Sequence, residues 1–118
     1  MSTAERRRHA RTMAPASVTI RDGGSELVTE TKNLSASGAY CTLKQFIAPM
    51  SKLQLDFQLP NGSRRIHVRC SGVVVRVEPV ITEADRGHYH VAVFFTELSE
   101  RDRSAIARFV RQRLSKTS

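Results

Sequence analysis

The sequence has no tryptophan, and aromatic residues make up only 6% of it. Proteins that hold single-stranded nucleic acid by stacking need exposed rings on which bases can lie, so DNA and RNA are not expected partners. No apolar run approaches the roughly 18 residues of a membrane-spanning helix, and no charged-then-apolar leader with a cleavage site opens the chain. We therefore expect a cytoplasmic protein without membrane insertion. Cysteine is confined to Cys41 and Cys70, which form no Cys-x-x-Cys pair and lack the spacing of a zinc site. Each falls on the apolar phase of a strand-like run, which predicts two buried thiols in preference to a disulfide.

Catalytic signatures are missing too. There is no Gly-rich phosphate loop followed by Lys, no His-Glu-x-x-His and no nucleophile elbow. His88 and His90 lie two apart on one face of an expected strand, but two ligands are too few for a metal, and the sequence places no others to complete a site. They read as solvated strand histidines. We expect no enzyme activity, no metal and no cofactor.

Acidic residues are in short supply: 11 Asp and Glu stand against 19 Lys and Arg, for a net charge of +8. The cations are mostly Arg, whose planar fork suits bidentate contacts with phosphate or a guanine edge. They are also unevenly placed. In Arg6-Arg7-Arg8-His9-Ala10-Arg11 every residue but one is cationic or can become so. Such clusters raise the local concentration of anions. Apart from charge, the composition is globular, with 40% hydrophobic and 25% charged residues, and 118 residues suffice for one core without staples.

Residues 1–14 show no hydrophobic period and end before Pro15, so they read as a flexible basic arm. Strand-like alternation then begins. Val18 and Ile20 share one phase, Asp22-Gly23-Gly24 supplies a hairpin turn with positive-φ positions, and Glu26 to Lys32 forms a second strand. Ala39, Cys41 and Leu43 define a third, and Leu53, Leu55, Phe57 and Leu59 give the clearest alternation in the chain. Pro60-Asn61-Gly62 turns it back. On the return strand the apolar phase shifts from Ile66, Val68 and Cys70 to Val73, Val75 and Val77. This predicts a bulge or bend at Ser71-Gly72, as at a barrel corner. A loop from Pro79 to Gly87 precedes a last strand with Tyr89, Val91, Val93 and Phe95 in phase.

The period then changes. Ser99-Glu100-Arg101-Asp102 resembles a capping box, and Ile106, Phe109, Val110 and Leu114 recur at helical spacing, with Arg101, Arg108 and Arg111 largely off that stripe. The expected fold is all-β with a terminal helix: a small antiparallel six-stranded β-barrel over 15–98, and a C-terminal helix over 99–115 that lids one opening.

Between the second and third strands lies Asn33-Leu34-Ser35-Ala36-Ser37-Gly38. Asn and Ser are short donors and acceptors that suit turn bonds or a base edge, and Gly38 permits a positive φ and close approach of a ligand. Arg7 and Arg11 are four apart on the arm. Taken together, Arg7-x-x-x-Arg11 and Asn33-x-Ser35-x-x-Gly38, in this order and ahead of these strands and helix, resemble the PilZ domain family over about residues 5–114.

That resemblance implies a receptor for the bacterial second messenger cyclic di-GMP (c-di-GMP). Arg7 and Arg11 would engage phosphate and the guanine Hoogsteen edge, while Asn33, Ser35 and Gly38 would contact the other guanine and its ribose-phosphate. Arg6, a further cation beside the motif, implies capture of two intercalated messenger molecules. The arm would order on binding and present a surface to an effector protein, whose identity the sequence does not give. A small basic barrel that binds nucleic acid, and a protein-interaction module that binds no ligand, are the rival readings.

Overall fold

The computed structural model describes residues 16–61, 63–82 and 86–117. The arm with Arg6, Arg7 and Arg11 lies outside them, as do Gly62 and the side chain of Leu114. Six strands precede one helix: β1 Ser17–Asp22, β2 Ser25–Leu34, β3 Gly38–Leu43, β4 Lys52–Asn61, β5 Arg64–Pro79, β6 Tyr89–Glu97 and α1 Glu100–Thr117. All pairings are antiparallel, and the order β1-β2-β3-β6-β5-β4 closes on itself into a barrel. Closure gives every strand a neighbour on both sides over at least part of its length.

The alternating residues build the core as expected. Val18, Ile20, Cys41, Leu43, Leu53, Leu55, Phe57, Leu59, Val91, Val93 and Phe95 are buried, and Phe57 meets Phe95 edge to face with centroids 5.7 Å apart. One end of the barrel is covered by α1, which packs on β4 and β5 through the buried stripe Ile106, Phe109 and Val110. Ser99 starts the helix. Its Oγ accepts a hydrogen bond from Asp102 N–H at 3.1 Å, a cap worth about 1 kcal/mol.

The return strand departs from expectation. A register shift against β6 does occur between Ser71 and Gly72, yet the inward phase does not change there. Gly72 is buried and Val74 is 0% exposed, while Val75 stands 55% exposed. A Cβ at Gly72 would lie 2.6 Å from a Val93 methyl carbon, so the glycine itself occupies the inward position where the barrel is tight. The phase changes later, at a second shift between Val74 and Arg76, after which Val77 packs on the core.

Both cysteines are free and buried. Burial pushes each thiol up to about 12, and at Cys70 the nearby charge of Asp102 acts in the same direction. A thiol that ionises less readily folded than unfolded stabilises the fold fully below the ordinary value of 9.0, and that contribution is lost as pH rises towards about 12. Thermal melts should therefore fall across this window, and a thiol reagent should label both residues only on unfolding. Rapid labelling of the native protein near pH 8 would contradict the burial.

Candidate functional site

Only residues 35–37 of the Asn33 to Gly38 segment lie outside strands; Asn33 and Leu34 end β2 and Gly38 begins β3. A bulge sets the direction of Asn33. Thr31 pairs with Cys41, but Asn33 pairs with Tyr40, so Lys32 is the extra residue of β2. Thr31 and Leu34 remain buried while Asn33 joins the outward row. Without the bulge, Asn33 would share the inward phase of Thr31.

Ser35 is 1% exposed and holds the turn. Its Oγ lies 3.1 Å from Ser37 Oγ, accepts from Ser37 N–H at 3.2 Å and approaches the Gly38 carbonyl at 3.4 Å. Backbone bonds complete the loop, with Ser35 N–H donating to the Gly38 carbonyl at 2.9 Å and Phe95 N–H to the Ser37 carbonyl at 3.0 Å. Gly38 does not use the positive φ that glycine permits; among the described glycines that geometry occurs at Gly23 and Gly87. Glycine is needed at 38 for space, since a Cβ there would overlap the Val93 carbonyl oxygen.

Beside this turn is a shallow depression of about 360 Å³, on the outer face of β2, β3, β6 and β5. Two cross-strand rows line it. One runs Asn33, Tyr40, Ala92, Arg76; the other pairs Gly38 with Phe94, and Val75 lies beside Arg76. Four adjacent strands at about 4.8 Å spacing give the first row a span of roughly 14 Å. Small residues, Gly38 and Ala92, leave the depth; larger ones, Tyr40, Phe94 and Arg76, form walls. Arg76 is only loosely tied, its Nε 3.9 Å from Glu78 with both side chains exposed, so its charge is available to an anion.

Sequence reasoning missed Arg76, and it missed Phe94, which is 51% exposed. Alternation with the inward Val93 and Phe95 was the signal available for Phe94; Arg76 was hidden by the bulge beside it. The paired histidines separate. His88 precedes β6, while His90 is stacked on Tyr40 with centroids 5.3 Å apart and has Nδ1 3.5 Å from Thr42 Oγ1. Both are half-buried, not solvated as expected. No His, Cys, Asp and Glu group able to hold a metal occurs among the described residues.

The root of the arm is near this site. Ala16 N–H donates to Thr31 Oγ1 at 3.0 Å, and Thr31 N–H returns a bond to the Ala16 carbonyl at 2.9 Å. The described chain thus begins two positions along β2 from Asn33.

This is the architecture of a small closed antiparallel barrel with a C-terminal helix. The chain belongs to the PilZ domain family, whose model matches residues 5–112. Among solved structures it is similar to the Bacillus subtilis inhibitor of motility MotI/DgrA, at 22% identity and a TM-score of 0.84, with 96% of this chain and 53% of that one covered. It is also similar to the PilZ domain of YcgR from Escherichia coli with c-di-GMP, at 15% identity and a TM-score of 0.70, covering 95% and 94%. A third likeness is to the K. pneumonia MrkH–c-di-GMP complex, at 15% identity and a TM-score of 0.72, covering 95% and 53%. At these identities the likeness is one of fold, and the chain spans about half the length of the MotI/DgrA and MrkH chains. No curated protein sequence matches it. Among the described residues no helix is long and apolar enough to cross a membrane.

Proposed function

We propose that this chain is a c-di-GMP receptor that closes its basic arm over the depression between Asn33 and Arg76 and signals to a partner protein. The observation that carries this reading is the double hydrogen bond between Ala16 and Thr31, which roots the arm next to the turn. Five positions separate Arg11 from Ala16, at most about 17 Å of extended chain, and Arg7 has roughly twice that reach. Both guanidinium groups can therefore arrive at the depression. Family membership, the similar PilZ domain of YcgR with c-di-GMP and the similar MrkH–c-di-GMP complex support the choice of ligand.

In this reading Arg7 and Arg11 take phosphate and a guanine Hoogsteen edge, Asn33 and Gly38 meet the other guanine and its ribose-phosphate, and Ser35 serves the same contact by shaping the turn. Arg76 adds a cation from the opposite wall. The ligand carries two negative charges, and charge-assisted hydrogen bonds contribute about 1.5–3 kcal/mol each. Three or four of them support a micromolar complex, about −8 kcal/mol, after the cost of ordering the arm. With Arg6 included, the site takes two intercalated molecules. The domain acts without catalysis, and buried free thiols suit a reducing cytoplasm.

Calorimetric titration with c-di-GMP, with GTP and cyclic AMP as controls, is expected to give binding for the dinucleotide alone, at two molecules per chain. Equal binding of all three would end the proposal, and one molecule per chain would remove the role given to Arg6. A steep loss of affinity with salt, as for a polynucleotide, would favour nucleic acid instead.

A further inference from the structure

The turn is held from three directions. Ser35 N–H takes the Gly38 carbonyl and Phe95 N–H takes the Ser37 carbonyl, while the Ala36 carbonyl is taken by Arg103 Nη1 at 3.1 Å from α1, 67 positions away in sequence. Arg103 is half-buried, and its other neighbour, Glu100 at 3.8 Å, is 92% exposed. The carbonyl bond is therefore the better-sheltered of the two. Arg103 sits in the first turn of the helix, directly after the Ser99 cap and before the apolar stripe that seats α1 on β4 and β5.

From this bond we infer that Arg103 is a positioning residue for the nucleotide turn, and that α1 reports occupancy of the site. Ala36 stands in the middle of Asn33-x-Ser35-x-x-Gly38, so the orientation of its peptide group sets the path from Asn33 to Gly38. A ligand that prefers the clamped turn must stabilise the Arg103 contact, and by linkage the contact must tighten the ligand by the same factor. The arm is then not the sole element that answers to the messenger. A partner seated on the exposed face of α1, which carries Arg101, Arg108 and Arg111, would sense binding through the helix.

The inference rests on the c-di-GMP reading, and the test separates the two. In the full chain, Arg103→Ala is expected to weaken c-di-GMP by about fivefold or more, with the barrel still folded by circular dichroism. Arg103→Lys, which keeps a cation and a donor, should recover most of the loss. Arg111→Ala removes the same charge from the exposed face of α1 and should change affinity by less than about twofold at physiological salt.

Hydrogen exchange supplies a reading that lost charge alone would not move. In the unmodified protein c-di-GMP should slow exchange over residues 100–106, and saturated Arg103→Ala should lack that slowing. Equal affinities of Arg103→Ala and Arg111→Ala, or no effect of ligand on α1, would overturn the inference while leaving the receptor reading intact. If the unmodified protein bound no c-di-GMP, the receptor reading would fail. The clamp would then be judged without ligand: faster exchange at residues 35–38 in Arg103→Ala supports it, and unchanged exchange removes it.

Discussion

Gly38→Ala is expected to lower the stability of the domain by about 3 kcal/mol and to abolish ligand binding with it. The new Cβ would overlap the carbonyl oxygen of Val93 and would lie 3.5 Å from the Phe94 Cα. These are backbone atoms of β6, the strand to which Gly38 is paired, so no rotamer change relieves the overlap. Either β3 moves away from β6, or the Ser35 to Gly38 turn unwinds and takes the seat of Asn33 with it.

Two other glycines calibrate that value. At Gly72 the nearest atom to a new Cβ is a Val93 methyl at 2.6 Å, followed by a Leu55 methyl at 3.0 Å and the Phe94 carbonyl oxygen at 3.1 Å. Buried side chains can yield in part but the backbone cannot, so Gly72→Ala should cost about 2 kcal/mol, between the other two. At Gly24 nothing lies within 4 Å and φ is not positive, so Gly24→Ala should be neutral or stabilise by about 0.5 kcal/mol. Urea denaturation of the three variants would test the series. Unchanged stability of Gly38→Ala would show that the β3–β6 contact is not the constraint described here.

The second large effect is on binding without stability. Arg7→Ala or Arg11→Ala should each weaken c-di-GMP at least tenfold, about 1.4 kcal/mol, and the double change about a hundredfold if the two act independently. Thermal melts should not move, because both positions precede the barrel that carries the buried core. This separates the arm from Gly38, where folding and binding fail together. Calorimetry on each variant is the direct measurement, and wild-type affinity in either single variant would remove the roles given to these arginines.

Much of the fold was legible because a half-buried strand must alternate. Leu53, Leu55, Phe57 and Leu59 could be placed inward without knowing what they met, and Ser99 announced the helix through a cap that depends on its immediate neighbours alone. The site was legible to a lesser degree. Asn33, Ser35 and Gly38 could be grouped as one turn, but Ser35 as its buried brace and Gly38 as a contact glycine could not be foreseen. The constraint on Gly38 comes from β6, which lies far away in sequence.

The chain's own pattern of residues determined six alternating runs, a capped helix, two sheltered thiols and an excess of positive charge near its start, since each follows from local periodicity or composition. The three-dimensional arrangement alone decided that a bulge at Lys32 turns Asn33 outward, that Arg76 faces it across β3 and β6, and that Arg103 reaches back to Ala36. Those relations are set by the register between strands and by where a helix comes to rest. Register and docking are fixed by the packing of residues distant in the chain, which no local pattern records.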